Sequence, residues 1–552
     1  MDVSQIKYDI KYKVGGRIYV CKDRECQHFS LATTLDGEVL KVVLNAKAKV
    51  TFLKFSLRLP YEYSKDDKIF VNGYQSWTDS MEYEPNSQMK ELTRLTQFLV
   101  TKTILRRIGL PKSGDALFWK YPRKKGIFYG WSYGYVRRGN QVEIFGSLNE
   151  RYGYTVVTFD CNNNEIVISK ELESVVYFGE NKLLKLARVC GKYDEAFDEY
   201  FDKMGVKSRE TQKRCGYTSW YNYYGRVSEE DINRDLEAIS NQDTKFDCFQ
   251  IDDGYQERIG DWLATNNKFP SGMKAVADSI HSKGMIAGLW LAPFAGVRKS
   301  KLFKTHPEWF IKDKFGRPYN TGHNWGGFYS LDIYNEGARE YLKHVFDVIL
   351  NEWGYDLVKL DFLYGACVLP IHNKTRGEIM CDAMDLLREC CGDKLILGCG
   401  VPLMPAFGKV DYCRIGSDVE LSWKHKKHKI RDDVSTTHTV CNTIFRRHLN
   451  GRVWMNDPDV FMLRDYNMKM TFEQRKLVAK INSTFGSLLF ISDDVSSYNQ
   501  EQKEILKNTF AKKDIKIISA EFVEKDIMKA VFEEDGKLVE LKFNVRNGEY
   551  VE

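Results

Sequence analysis

The chain has 552 residues, 43% hydrophobic and 29% charged, with a formal net charge of +6. This composition can bury more than one core and excludes an intrinsically disordered chain. The charge is dispersed and no apolar run reaches membrane-spanning length, so neither a nucleic-acid partner nor a membrane partner is expected.

The first two hundred residues alternate apolar and polar positions, as in 38–44, 49–59 and 165–169, with Gly- and Asn-rich turns between them. This predicts an antiparallel β-sandwich over 1–183, with a helical interruption near 88–107. The segment from Leu184 to Met204 reads as a connecting helix, which makes 184–208 a linker.

Apolar runs then recur at 215–220, 246–252, 285–292, 355–362, 394–399, 412–416, 452–456 and 486–492. Amphipathic stretches separate them at 228–239, 271–283, 336–352, 374–391, 433–449, 470–484 and 499–510. Only the connection after Cys399 lacks a clear long helix. Eight such units over about 300 residues predict a (β/α)8 TIM barrel over 209–511. The last forty residues alternate again and predict a small antiparallel β domain over 512–552. The fold class is therefore α/β, with a central barrel between two β domains.

Lys359 and Asp361 stand two apart in the run Leu357 to Phe362. On a strand they share a face. A structural ion pair is the ordinary reading of such a couple, because buried charge is costly unless it is paired or used. The other strand ends argue for use. In order they carry Trp220, Asp252 with Asp253, Trp290, Cys399, Arg414 with Asp418, Asn456 with Asp457, and Asp493 with Asp494. Active sites of such barrels lie at this rim.

The remaining signals are weaker. The one short basic cluster, Lys424 to Lys429, reads as a solvated loop. Thirteen cysteines at irregular spacing read mostly as reduced fillers, with no pair of zinc-binding motifs and no histidines at strand ends, so neither metal nor cofactor is expected. The start of the chain has no apolar leader, which predicts a cytoplasmic protein. Homo-oligomerisation is left open.

An ordered set of motifs resembles the α-galactosidases of glycoside hydrolase family 36, in the short form known from thermophilic bacteria. The motifs are Val71-Asn-Gly-Tyr-Gln-Ser-Trp77, Thr218-Ser-Trp-Tyr221, Phe249-Gln-Ile-Asp-Asp253, Ile259-Gly-Asp-Trp262, Gly288-Leu-Trp-Leu-Ala-Pro-Phe294, Lys359-Leu-Asp-Phe362, Leu397-Gly-Cys-Gly400, Arg414-Ile-Gly-Ser-Asp418 and Trp454-Met-Asn-Asp-Pro-Asp459. The resemblance implies a β-supersandwich, a barrel, a C-terminal β domain, and a retaining exo-α-galactosidase acting on small α-galactoside oligosaccharides. It makes Asp361 the nucleophile and Asp418 the general acid/base. It assigns Asp252 and Asp253 to the sugar 4- and 6-hydroxyls, Lys359 to the same region, and Cys399 and Gly400 to the 2-hydroxyl. Trp77, from the sandwich, and Trp220 and Trp290 are the aromatic faces; Arg414 completes the set. Lys359 and Arg414 are expected to keep Asp361 ionised, and a less cationic or less solvated site to keep Asp418 protonated. Gly73-Tyr74, Thr78-Asp79 and the branched Val401 depart from the family pattern, so Val401 is expected to crowd the 2-position. The alternatives on the same scaffold are an α-N-acetylgalactosaminidase and an α-galactosyl transferase; a non-catalytic sugar-binding protein is more distant.

Overall fold

The computed structural model describes residues 2–89, 124–423 and 434–552. The helix expected near 88–107 and the basic cluster Lys424 to Lys429 lie outside the described residues.

Thirteen N-terminal strands form one antiparallel network. Its organising element is the 22-residue strand Val39–Pro60, buried at nearly every second position. Its first half pairs with Phe29–Asp36 and Val176–Lys192; its second half pairs with Lys7–Val14 and Glu165–Lys170. A strand that changes partners midway belongs to both layers of a sandwich. Cys21 and Cys26 are joined by a disulfide near the edge, and the other eleven cysteines are free thiols.

The segment 184–192 is strand, not helix. The ladder slips between Lys182 and Leu184. That bulge turns both Leu183 and Leu184 inward, so the apolar spacing imitates a helical period. The helix spans only Tyr193–Met204 and stops at Gly205, which takes a left-handed φ of 73°.

Eight parallel strands follow: β1 Arg214–Thr218, β2 Cys248–Ile251, β3 Ile286–Leu291, β4 Leu357–Leu360, β5 Leu395–Gly398, β6 Tyr412–Arg414, β7 Met455–Asp457 and β8 Leu488–Ile491. They pair in chain order, and β8 pairs with β1. The β7–β8 seam is bridged by Ser487 N–H donating to the Asn456 carbonyl at 2.8 Å. The outer helices are α1 Glu229–Ser240, α2 Gly272–Ser282, α3 Glu336–Asp347, α4 Arg376–Cys391, α5 Thr436–Phe445, α6 Phe472–Phe485 and α7 Gln500–Phe510. Helix α1 starts at a reciprocal cap between Ser228 and Asp231, and α6 and α7 start the same way. After β5 there is only a four-residue turn of helix, Leu403–Ala406.

Leu357, Leu397, Tyr412, Met455, Leu488 and Phe490 plug the inside of the barrel. The plug leaves one end open, and the strands' C-terminal ends point there. Between β3 and α3 an arm rises over this end as a three-stranded sheet, Ala295–Val297, Asn320–Gly322 and Phe328–Ser330. The chain closes with four antiparallel strands from Ile515 to Tyr550. No helix among the described residues is long and apolar enough to cross a membrane.

Candidate active site

The site forms where interior strand positions pass from apolar plug to polar rim. On β4, Leu357 belongs to the plug and Lys359, two residues on, stands above it. On β2, Cys248, Gln250 and Asp252 climb the same way. Lys359 Nζ donates to Asp252 Oδ2 at 2.7 Å, with both side chains at least nine-tenths buried. Gln250 Nε2 donates to the same oxygen at 3.0 Å. Burial opposes the charge on Lys359, but Asp252 outweighs it and holds the ammonium above the ordinary lysine range.

Asp252 and Asp253 both serve the rim because β2 ends before them. Gly254 takes φ 134°, and a Cβ there would lie 3.0 Å from the Gly225 backbone, so the turn needs glycine. Asp253 accepts from Gln256 Nε2 at 2.6 Å and from Trp325 Nε1 at 3.1 Å. Burial raises its pKa, and the Asp252 and Asp361 charges add to this.

Asp361 follows β4 directly. Its Oδ2 accepts from Trp290 Nε1 at 3.1 Å and its Oδ1 from Phe362 N–H at 2.8 Å. Phe362 takes a left-handed φ of 53° to present that N–H. For an aromatic residue this is a strained position, of the kind that clusters at functional sites.

Arg414 corrects the expectation that it serves Asp361. Its guanidinium meets Asp457 through Nε at 3.0 Å, Asp459 through Nη2 at 2.8 Å and Asp418 through Nη1 at 3.1 Å. Asp459 also accepts from Tyr221 OH and from Val419 N–H. Asp418 therefore sits beside a cation after all. It is nevertheless pushed up to about 7, first by desolvation in its recess at the rim, though one side of the carboxyl stays open, and second by the Asp459 charge; Arg414 and Lys359 only partly offset this. Two of the guanidinium's three carboxylate partners are fully buried, while the Asp418 side chain keeps 41% of its surface open. Asp418 is the member of this cluster with room to meet a ligand.

Trp77 reaches the rim from the sandwich. Ser76 N–H donates to the Val401 carbonyl at 3.1 Å, and Gln75 bridges to Pro402. Arg446, fully buried, donates to the carbonyls of Gln75, Ser76, Thr78 and Ile415 and to Ser80 Oγ. Gly73 is what lets this loop close: a Cβ there would lie 2.5 Å from the Thr78 carbonyl and 2.9 Å from the Arg446 guanidinium. The Trp77 ring then packs edge-on to Phe362 at 5.2 Å and lies against Gly400, where a Cβ would meet it at 2.9 Å.

Cys399 is buried at the end of β5, and the charges of Asp361, Arg414, Lys359 and Asp418 all bear on its thiol. Val401 does not crowd this point. A Cβ at Gly398 would meet Val401, Val410 and Cys413 together, so Val401 packs into the layer outside the sheet. Trp220 is half-buried on the turn after β1, edge-on to Tyr224 at 5.2 Å. Asp493 is drawn away from the rim: it accepts from Leu463 N–H, Arg464 N–H and Tyr498 OH and anchors the loop after β7.

Sequence reasoning missed one residue and the partners of another. Trp325 comes from the arm, at a left-handed kink with φ 54°, and no period marks it. Asp457 and Asp459 were visible as acidic residues at a strand end; that both turn onto Arg414 was not.

A family model described as Melibiase matches residues 206–374. An A type blood α-D-galactosamine galactosaminidase of Flavonifractor plautii is 34% identical over 138 residues, covering 23% of this chain and 13% of that protein. The α-galactosidase AgaA of Geobacillus stearothermophilus is 23% identical over 249 residues, covering 43% of this chain and 32% of the relative. The matched segments thus span less than a third of either relative. In architecture the chain is similar to TtGalA, an α-galactosidase from Thermus thermophilus solved with p-nitrophenyl α-D-galactopyranoside: the TM-score is 0.71 at 24% identity, covering 96% of this chain and 98% of that one. The melibiase match spans β1 to β4, and the likeness in architecture to these α-galactosidase structures extends over the sandwich, the barrel and the C-terminal sheet.

Proposed function

We propose that the protein is a retaining exo-α-galactosidase that removes terminal α-linked galactose from oligosaccharides. The observation that carries this reading is the contrast between two carboxyl groups of one rim. Each oxygen of Asp361 accepts an N–H, while Asp418 is pushed up to about 7. A carboxyl held by two N–H donors suits the nucleophile, and one with a raised pKa suits the acid.

In the first step Asp361 attacks the anomeric carbon, the glycosidic C–O bond breaks, and the Asp418 proton moves to the leaving oxygen. In the second step Asp418 takes a proton from water, the water oxygen attacks the anomeric carbon, and Asp361 leaves as carboxylate. The Asp252 and Asp253 carboxylates accept from sugar hydroxyls, with Lys359 donating beside them. An axial O4 meets this group; an equatorial one leaves buried charges unpaired. Trp77, Trp220 and Trp290 supply apolar faces. Hydrolysis of a panel of nitrophenyl α- and β-glycosides tests the reading: α-galactoside should be cleaved and α-glucoside not. Comparable cleavage of the α-glucoside would overturn the galactose assignment.

A second reading, an α-N-acetylgalactosaminidase, has one observation in its favour: Val401 points out of the pocket. Against it, Trp77 lies on Gly400 and the buried Cys399 closes the same side. We therefore expect kcat/KM for nitrophenyl α-galactoside to exceed that for the α-N-acetylgalactosaminide by at least about a hundredfold, as roughly 3 kcal/mol of clash requires. A ratio near one would favour the second reading.

A further inference from the structure

The loops after β1, β2 and β3 enclose a second cleft of about 770 Å³. Asp253 and Trp325 line it, but Lys359, Asp361, Cys399, Arg414 and Asp418 do not. It lies against the same wall as the candidate active site without opening onto the residues assigned to chemistry.

Arg258, Lys268, Arg298 and Lys299 converge on the cleft, and none has a carboxylate within ion-pairing distance among the described residues. Lys268 Nζ donates only to the Gly225 carbonyl, at 2.8 Å. Arg298 donates to Tyr329 OH at 2.6 Å and lies over that ring, 5.3 Å from its centre. The cleft has two carboxylates of its own. Asp253 is already engaged by Gln256 and Trp325; Glu257 is exposed. Four cations against two carboxylates, one of them already engaged, leave the cleft net positive, which attracts an anion.

The walls are suited to more than a bare ion. Trp325 offers a half-buried aromatic ring, and Gly225, Gly326 and Gly327 leave backbone open beside it. Aromatic faces with charged donors recognise a sugar ring that carries an acidic group. We propose that this cleft binds an acidic sugar unit, one bearing a carboxylate or a sulfate, beside the active site, with Asp253 and Trp325 as the shared wall. The choice of probes rests on the galactosidase reading; the charge and lining of the cleft do not.

The test is calorimetric titration of the full chain with glucuronic acid and with glucose 6-sulfate. Both have the glucose configuration, which keeps them out of a galactose-selective pocket. Glucose and inorganic sulfate are the neutral and bare-anion controls. At least one acidic sugar should bind, more weakly as salt is raised, and more tightly than either control; which one binds identifies the acidic group. Replacing Arg258→Ser together with Lys299→Ser should weaken that binding by about tenfold, while kcat/KM on nitrophenyl α-galactoside stays within about twofold of the parent. The proposal is overturned if neither acidic sugar binds, if glucose or sulfate binds equally well, or if the double variant binds unchanged.

Discussion

The proposed chemistry turns on how Arg414 is shared. With Asp457 and Asp459 fully buried against it, little of its charge is left to ionise Asp418. An acid near 7 has a consequence for pH. Below about 7 the Asp418 proton is present and available to the leaving group; above it, the proton is lost. Turnover of oligosaccharides with poor leaving groups should fall as pH rises through about 7, and Asp418→Ala should abolish that limb. The same variant should slow poor leaving groups far more than nitrophenyl galactosides. Equal losses on both would make Asp418 structural. Trp325 acts through Asp253. Trp325→Phe keeps the ring contacts but removes the indole N–H, so KM should rise by about tenfold with kcat little changed. A loss confined to kcat would contradict this positioning role.

At the scale of elements, the sequence was most legible where burial has one period. All eight barrel strands and seven helices fall where apolar spacing put them, and the missing helix after β5 is missing. Segment 184–192 misled because a bulge disguised a strand, and Trp325 was hidden in an arm whose short strands have no room for a period. The partners of Arg414 were illegible for another reason: which carboxylate a guanidinium meets depends on how three strand ends are rotated, and spacing along the chain does not carry that. The loop bearing Trp77 depends on Arg446, which holds four carbonyls from fully inside the protein. Arg446→Ala should destabilise the fold by at least about 3 kcal/mol, since several buried acceptors lose their donor at once, and should raise KM by releasing Trp77. A shift in the urea midpoint checks the first effect and steady-state kinetics the second; Trp77→Ala should reproduce only the second.

Across the whole molecule, the sandwich and barrel share their polar contacts as well as their core. Ser80 N–H donates to Asn442 Oδ1 at 2.7 Å, and His448 bonds Tyr133 OH at 2.7 Å and Tyr193 OH at 3.0 Å. The C-terminal sheet is tied in by Trp423 Nε1 donating to the Val545 carbonyl at 2.9 Å and by Arg137 meeting Glu521 at 2.9 Å. The proposed site, completed by Trp77 from one unit and Asp361 from another, would work only while these hold. The sandwich and barrel should therefore unfold together, in one calorimetric transition accompanied by loss of activity. Two separated transitions, with activity surviving the first, would show that the sandwich is dispensable.

The central claim is that Asp361 forms the covalent bond to the sugar. The direct measurement is the product made by Asp361→Gly from nitrophenyl α-galactoside with added azide. Without azide this variant should be inactive, because no covalent intermediate forms. With azide, which enters the space the carboxylate leaves and attacks from that face, activity should partly return and the product should be β-galactosyl azide. Near-normal hydrolysis by Asp361→Gly without azide, or an α-configured azide product, would contradict the account.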